Sequence, residues 1–202
     1  QIGGRAKYFL EAKSINDIQE AHRWAEEQSL PLFVLGGGSN LLVSDNGFPG
    51  LVLKIGLRGT RVDGDRENLL LTVAAGEEWD LVVARTVAAG CAGLECLSGI
   101  PGSCGATPIQ NVGAYGQEVS ETILHVSVYD LIEKAQKTLS RAECDFSYRS
   151  SIFKQTDRYI VLSVTYKLKR GGAPTIRYPE LSSYLDEQGI SNPSLIDVRE
   201  AV

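Results

Sequence analysis

Apolar positions in the first 55 residues recur in more than one rhythm. Alternation from Ala6 to Ala12 predicts a strand, because successive strand side chains point to opposite faces. Ile15, Ile18, Ala21 and Ala25 follow at three- and four-residue spacing and share one face of a helix over Ile15–Gln28. Ser14-Ile15-Asn16-Asp17 ahead of it resembles a capping box with Asp in place of Glu. After a break at Pro31, Leu32–Leu35 reads as a short buried strand. Leu41–Val43 reads as a resumption of strand, and Leu51–Ile55 as another, with a turn at Asp45-Asn46-Gly47 between them.

The charged, turn-rich stretch Arg58–Asn68 reads as a boundary between two lobes. Beyond it Leu69–Ala74 predicts a strand. Trp79–Ala89 predicts a helix with Trp79, Val82, Val83, Thr86 and Val87 on one face and Gly90 placed to end it. Ile123–Leu131, Lys137–Leu139 and Tyr159–Leu168 read as strands, and Ala142–Phe153 is mixed and polar. Gly171-Gly172-Ala173-Pro174 is a linker, Ile176–Leu181 reads either as a mobile loop or as a segment disordered without a further lobe to pack on, and Ser194–Val202 has a helical pattern. The order β-α-β-β, then β-α-loop-β-β-β, predicts an α+β fold and not a doubly wound sheet. Its lobes are residues 1–57 and 58–170, followed by a linker and lead-in segment, 171–202.

Ser98–Gln117, SGIPGSCGATPIQNVGAYGQ, follows no period. Its five Gly and two Pro forbid a regular element, yet it is too apolar for a solvated loop. Two readings stand: backbone held close to a ligand, with N–H groups facing an anion or a ring, or a glycine-rich crossover in a packed core.

Composition removes several classes of partner. At 43% hydrophobic and 22% charged residues the chain is an ordinary soluble globular protein. Its net charge of −5, with no Lys/Arg cluster longer than two, argues against nucleic acid. No apolar run approaches the roughly 18–20 residues of a transmembrane helix, and no signal peptide opens the chain. A membrane partner is therefore not expected, and a cytoplasmic location is. Cys91, Cys96, Cys104 and Cys144 form no C-x-x-C pair, and His22 and His125 are isolated, so no metal site is expected. The thiols read as small buried groups in a reducing compartment.

Gly36-Gly37-Gly38-Ser39-Asn40 follows a strand but lacks the third Gly and the helix of a dinucleotide fingerprint. No G-x-x-x-x-G-K-[ST] phosphate loop occurs either. A pyrophosphate cradle of bare backbone N–H groups, aided by Ser39 and Asn40, remains open, as does a plain tight turn. A ligand lying between two lobes would need one such edge from each. In Tyr148-Arg149-Ser150-Ser151, Arg149 is either solvated or a fixed guanidinium for a carboxylate.

GGGSNLLVSD, IPGSCGATPIQNVGAYGQEV and YRSSIFK, in this order, closely resemble the UDP-N-acetylenolpyruvoylglucosamine reductases (MurB), flavoenzymes of peptidoglycan synthesis. The resemblance covers essentially the whole chain. It implies the FAD-binding fold of the vanillyl-alcohol-oxidase/PCMH type, two α+β lobes with non-covalent FAD between them. By this resemblance Gly36, Gly37, Gly38, Ser39 and Asn40 hold the pyrophosphate. Ile100, Pro101, Gly102, Gly105, Ala106, Thr107, Gln110, Asn111, Gly113 and Ala114 line the rest of FAD, with Val161 near the flavin ring. Tyr115 and Tyr178 match contacts to the nucleotide-sugar substrate. Arg149 matches the catalytic and substrate-facing Arg, with Tyr148 beside it.

The implied chemistry is reduction of FAD by NADPH, then hydride transfer to the enolpyruvyl methylene carbon, with Arg149 stabilising the developing charge. The family's proton donor is a Ser in a downstream S-A-G-S-F-F-type motif, and a Glu lies near its C-terminus; neither motif occurs here. The family also has a short segment before the match to Ile2-Gly3-Gly4. The chain is thus expected to bind FAD, to lack the third, substrate-binding lobe, and to be incompetent for turnover alone. It is expected to be a monomer. The alternative is a non-catalytic flavin- or nucleotide-sugar-binding module. Covalent flavin is not expected, because His22 and His125 lie outside the glycine-rich motifs and Cys104 is the one thiol near them.

Overall fold

The computed structural model describes residues 3–202; Gln1 and Ile2, where the Ile2-Gly3-Gly4 match begins, lie outside the described residues. β1 (Ala6–Ala12), α1 (Ile15–Glu27), β2 (Leu32–Leu35) and β3 (Phe48–Ile55) build a first unit. Its three strands are all parallel in the order β1-β3-β2. α1 starts where the sequence says. The Ser14 hydroxyl accepts from Asp17 N–H (3.1 Å), and the Asp17 carboxylate accepts from Ser14 N–H (3.0 Å). That box satisfies N–H groups that no helical partner reaches. Ile18, Ala21 and Ala25 are buried, and α1 packs against β1 and β3.

The second unit runs through β4 (Thr60–Gly64), β5 (Asn68–Ala74), α2 (Trp79–Ala88), β6 (Cys91–Ala92), β7 (Gly113–Ala114), β8 (Gln117–Glu118), β9 (Ile123–Asp130), β10 (Ala135–Ser140), α3 (Ile152–Gln155) and β11 (Tyr159–Arg170). Its main sheet is antiparallel in the order β10-β9-β11-β5-β4, with β6 on the end of β11. Trp79 at the start of α2 is buried against Tyr166 of β11, ring centroids 5.7 Å apart. Burying a side chain of that size is among the largest single contributions to such a core, about 3–5 kcal/mol on truncation to Ala.

The tail adds α4 (Pro179–Glu187) and α5 (Leu195–Ala201). Leu181, Leu185 and Val198 pack with Cys96 in a second small core. Thr175 is pinned by Glu95, a fully buried carboxylate that accepts from the N–H groups of Thr175 (2.8 Å) and Gly93 (2.7 Å). It also accepts from the Gln117 amide (3.2 Å).

Four expectations need correction. The boundary stretch Arg58–Asn68 contains β4, an edge strand whose five residues are all exposed, so no apolar alternation marks it. Leu41–Val43 is not a strand; three apolar residues are too few to enforce pairing, and Leu42 is left 84% exposed. β2 is not buried, because its side chains flank a cleft and Val34 is exposed. Ile176–Leu181 is a loop only as far as Tyr178: Pro179 occupies the first turn of α4, where its missing N–H costs nothing.

Candidate functional site

Strand ends deliver both glycine-rich edges. β2 stops at Leu35 and the chain turns through Gly36–Gly38, with Gly38 at φ +75°. The second edge is stapled to the end of β5 and the start of α2. Gly105 N–H donates to the Ala75 carbonyl (2.9 Å) and Cys104 N–H to that of Glu77 (2.8 Å). Trp79 N–H donates to the Gly102 carbonyl (3.0 Å), and its indole Nε1–H to that of Leu97 (2.9 Å). Only Gly fits at 105, since a Cβ there would lie 2.5 Å from the Ala75 Cβ.

The two edges touch. A Cβ on Gly37 would stand 3.0 Å from the Gly102 Cα. The Ser39 hydroxyl donates to the Pro101 carbonyl (3.1 Å), and Asn40 Nδ2–H to Gln110 Oε1 (3.3 Å). Beside this junction a cleft of about 670 Å³ opens between the units. That volume lies within the range of roughly 300–1,000 Å³ usual for small-molecule and cofactor sites.

Gly36–Asn40, Gly102, Gly105, Ala106, Gln110 and Val161 line this cleft. Ile100, Pro101 and Thr107 line a smaller hollow of about 240 Å³ that shares Ser39, Asn40, Ala106 and Gln110 with it. Thr107 is locked: its hydroxyl donates to the Cys104 carbonyl (2.8 Å), so the Tyr166 hydroxyl, 2.9 Å away, must be the donor to Thr107. Gly113 and Ala114 pair with Glu118 and Gln117 as a two-residue ribbon and line neither space. Asn111 is buried away from both.

The remaining predicted residues gather elsewhere. Tyr115 and Tyr178 meet edge to face, centroids 5.8 Å apart, with Tyr115 at φ +48°. Tyr148 and Arg149 occupy the corner of a tight turn closed by reciprocal Ser147–Ser150 backbone bonds of 3.1 Å. Arg149 is exposed at φ +53°, and its guanidinium carbon lies 5.9 Å from the Tyr148 ring centroid. Three residues singled out in the sequence, Asn111, Tyr115 and Arg149, thus hold left-handed backbone that non-glycine residues rarely adopt.

No Lys or Arg lines the cleft; its ionisable lining is His22, Glu26, Asp157 and Tyr159. Burial lowers the His22 pKa below the ordinary imidazole value against the opposing pull of Glu26. A diphosphate here would rest on main-chain N–H dipoles and the Asn40 amide, with no cation beside it, the Ser39 hydroxyl proton being held by the Pro101 carbonyl. Phe33, Ile55, Ile109, Phe153 and Val161 offer apolar wall to a flat ring. The lining therefore fits a dinucleotide flavin, polar at the glycine edges and apolar along the walls. Of these, Phe33 and Ile55 escape motif reading because they look like ordinary strand positions, and Phe153 because it sits in the short helix α3. Ser103, also in the lining, lies inside the flagged stretch but was not singled out.

Among the described residues no group of three or more His, Cys, Asp or Glu could hold a metal ion, and no helix is long and apolar enough to cross a membrane. All four cysteines are free and buried.

A model of the FAD binding domain matches residues 6–133. The UDP-N-acetylenolpyruvoylglucosamine reductase of Salinispora arenicola is 47% identical over 204 residues, all of this chain and 56% of the relative. That of Streptomyces coelicolor is 47% identical over all of this chain and 52% of its own length. The chain thus spans just over half the length of these curated relatives. Among solved structures, the UDP-N-acetylenolpyruvylglucosamine reductase of Thermus caldophilus superposes with a TM-score of 0.68 at 26% identity, covering 92% of this chain and 64% of that one. A cholesterol oxidase from B. sterolicum shares the fold alone, with a TM-score of 0.60 at 16% identity over 80% of this chain and 34% of its own. The fold is the FAD-binding fold of the vanillyl-alcohol-oxidase/PCMH type. The chain belongs to the FAD binding domain family, and over its whole length it is a homologue of the UDP-N-acetylenolpyruvoylglucosamine reductases.

Proposed function

We propose that this chain is the FAD-holding part of an NADPH-dependent reductase that converts UDP-N-acetylenolpyruvoylglucosamine to UDP-N-acetylmuramate, a step of cell-wall synthesis. One observation carries the reading: two glycine-rich edges, about sixty residues apart in sequence, meet at a cleft of dinucleotide size. FAD, when bound, supplies the hydride chemistry that links a nicotinamide reductant to the enolpyruvyl group. Gly36–Asn40, with the N–H groups of Gly102 and Ser103 and the small side chains of the second edge, bind its polar middle, and the apolar walls exclude water from the ring.

Arg149 is read as the cation facing the substrate carboxylate. Among the described residues no carboxylate pairs with its guanidinium, which leaves it available to an anion. Tyr115 and Tyr178 are read as contacts to the nucleotide sugar. The proton donor of the resembled family comes from a motif this sequence does not contain, so the half-reaction with the sugar is expected to stall in this chain. A cytoplasmic monomer without nucleic-acid or membrane partners completes the reading.

The test is the visible spectrum of the purified chain after incubation with FAD and desalting, then after anaerobic NADPH. The expected result is a retained flavin, released on denaturation and bleached by NADPH. A colourless desalted protein would overturn the assignment of the cleft, and a retained flavin that NADPH leaves coloured would overturn the reductant.

A further inference from the structure

The resemblance makes Asn111 a cofactor contact, but its surroundings give it different work. The residue is 1% exposed and lines neither cavity. Its Nδ2 donates to Glu118 Oε2 (2.8 Å) and to the Ser147 carbonyl (3.1 Å), and its Oδ1 accepts from Ser120 N–H (3.2 Å). Flipping the amide would set Oδ1 against two acceptors, so the network itself fixes this orientation. Both donor hydrogens and the acceptor are engaged inside the protein. The backbone at φ +42° is one that Asn enters more readily than other side-chain-bearing residues.

Ser147 opens the turn that carries Tyr148 and Arg149. Ser151 closes it from the other side. Fully buried, it donates its hydroxyl to the Ile109 carbonyl (2.7 Å) and accepts from Phe153 N–H (3.2 Å). Both ends of the turn are therefore tied by buried polar side chains to residues 109–111, the stretch that follows the cleft-lining glycines. The reciprocal Ser147–Ser150 bonds and the Ile152 N–H on the Cys144 carbonyl (2.9 Å) close the corner upon itself, whereas Asn111 and Ser151 tie it to residues 109–111; the Lys154 ammonium on the Arg149 carbonyl (3.0 Å) is solvent-exposed.

We propose that Asn111 and Ser151 are positioning residues that fix the Arg149 turn against the end of the cofactor edge, and that Asn111 does not touch the cofactor. The proposal rests on the reading of Arg149 as the substrate-facing cation and names what aims it. Pegs of this kind matter because a misplaced catalytic group loses rate steeply with small displacements.

The experiment compares wild type, Asn111→Gly and Ser151→Ala by backbone ¹⁵N relaxation and by FAD titration. Gly keeps the left-handed backbone and removes only the amide. Expected are order parameters at Tyr148 and Arg149 falling from about 0.85 to below about 0.6 in both variants. Amides of β9 and β11 should stay rigid, which separates a local peg from general loosening, and FAD affinity should be unchanged. Loss of FAD affinity by about tenfold (about 1.4 kcal/mol) in Asn111→Gly would overturn the proposal and return Asn111 to the cofactor. So would a wild-type turn already below about 0.6, or one that stays rigid in Ser151→Ala. If wild type takes up no flavin, the functional reading fails alone, and the order parameters still decide the pegs. Should Asn111→Gly fail to fold, Asn111→Asp, which also tolerates the left-handed backbone but lacks both donors, replaces it in both measurements, and Ser151→Ala still decides the second peg.

Discussion

Replacing Asp80 with Ala is expected to loosen the cofactor edge and the C-terminal helix together. Asp80 Oδ1 accepts from Gly99 N–H (2.7 Å) and from Arg199 Nη1 (2.7 Å), and Oδ2 accepts from Arg199 Nη2 (2.8 Å). Gly99, at φ +71°, leads into Ile100–Gly102. There the Pro101 carbonyl takes the Ser39 hydroxyl, and Gly102 lies against Gly37. One carboxylate thus joins α5, the first turn of α2 and the junction of the two edges. The Arg199 guanidinium is the main reason the Asp80 carboxyl is held below its usual 3.8.

The magnitude follows from exposure. Exposed ion pairs are worth about 0.2–1 kcal/mol, and breaking a fully buried one costs about 3–5. With side chains 32% and 24% exposed, this bidentate pair falls between them. Adding the Gly99 bond at about 1 kcal/mol gives roughly 2–3 kcal/mol for Asp80→Ala. In a chain of this size that is about 5–10 °C in Tm. Asp80→Asn keeps an acceptor for Gly99 N–H and should lose about half as much. The assay is urea unfolding of Asp80→Ala, Arg199→Met and the double variant, with FAD titration of each. A coupling energy near 1 kcal/mol and weakened FAD binding in Asp80→Ala are expected. Additive single effects would refute the pairing, and unaltered FAD affinity would refute its link to the edge.

Gly37→Val should lower FAD affinity tenfold or more with little change in Tm, because its Cβ would meet the Gly102 backbone at 3.0 Å and part the edges; a titration matching wild type would contradict the junction. Burial pushes the Cys96 and Cys144 thiols up to about 12 and Cys104 higher still. The native chain should therefore release no chromophore from Ellman's reagent at pH 8, whereas the guanidinium-unfolded chain reacts at all four cysteines. Asp130 is buried among Arg158, Lys137 and the N–H groups of Ile132 and Glu133, with Arg158 the main cause of a carboxyl held far below its ordinary range. A depressed carboxyl pKa contributes stability that is fully present above the unfolded value, near 4, and lost as pH falls toward the folded one. Asp130→Asn should thus be less stable than wild type at pH 7 and lose less stability between pH 4 and pH 3 in urea titrations. Parallel losses would rule out the linkage.

Elements with a local cause were readable. The Ser14–Asp17 box starts α1, the alternation of Asn68–Ala74 reports a strand with one face in the core, and Tyr159–Arg170 reads as a strand although its middle is buried on both faces. Elements whose cause lies elsewhere in the chain were not. β4 is held by pairing with β5 while every one of its side chains faces water, so its sequence carries only the signature of a loop. β2 read as buried because a cleft wall and a core wall have the same composition; the difference is a missing neighbour, which no pattern in Leu32–Leu35 records.

The same asymmetry separates the glycine edges from what holds them. Glycines announce themselves, since a turn at φ +75° or a 2.5 Å approach to Ala75 admits no other residue. The polar pegs do not. Asp80 and Arg199 stand 119 positions apart, Glu95 and Thr175 are 80 apart, and Asn111 and Ser147 are 36 apart. Apart from Asn111, each reads in sequence as an ordinary surface residue. Glu95 is fully buried nonetheless, and it is stable there because three N–H donors face its oxygens. Asn111 is the instructive case. Its place inside a glycine-rich motif invites a ligand contact, but a buried side chain with both donor hydrogens and one acceptor lone pair spent inside the protein has no donor left for a ligand. A motif marks where a cofactor lies; hydrogen-bond capacity decides which of its residues can touch it.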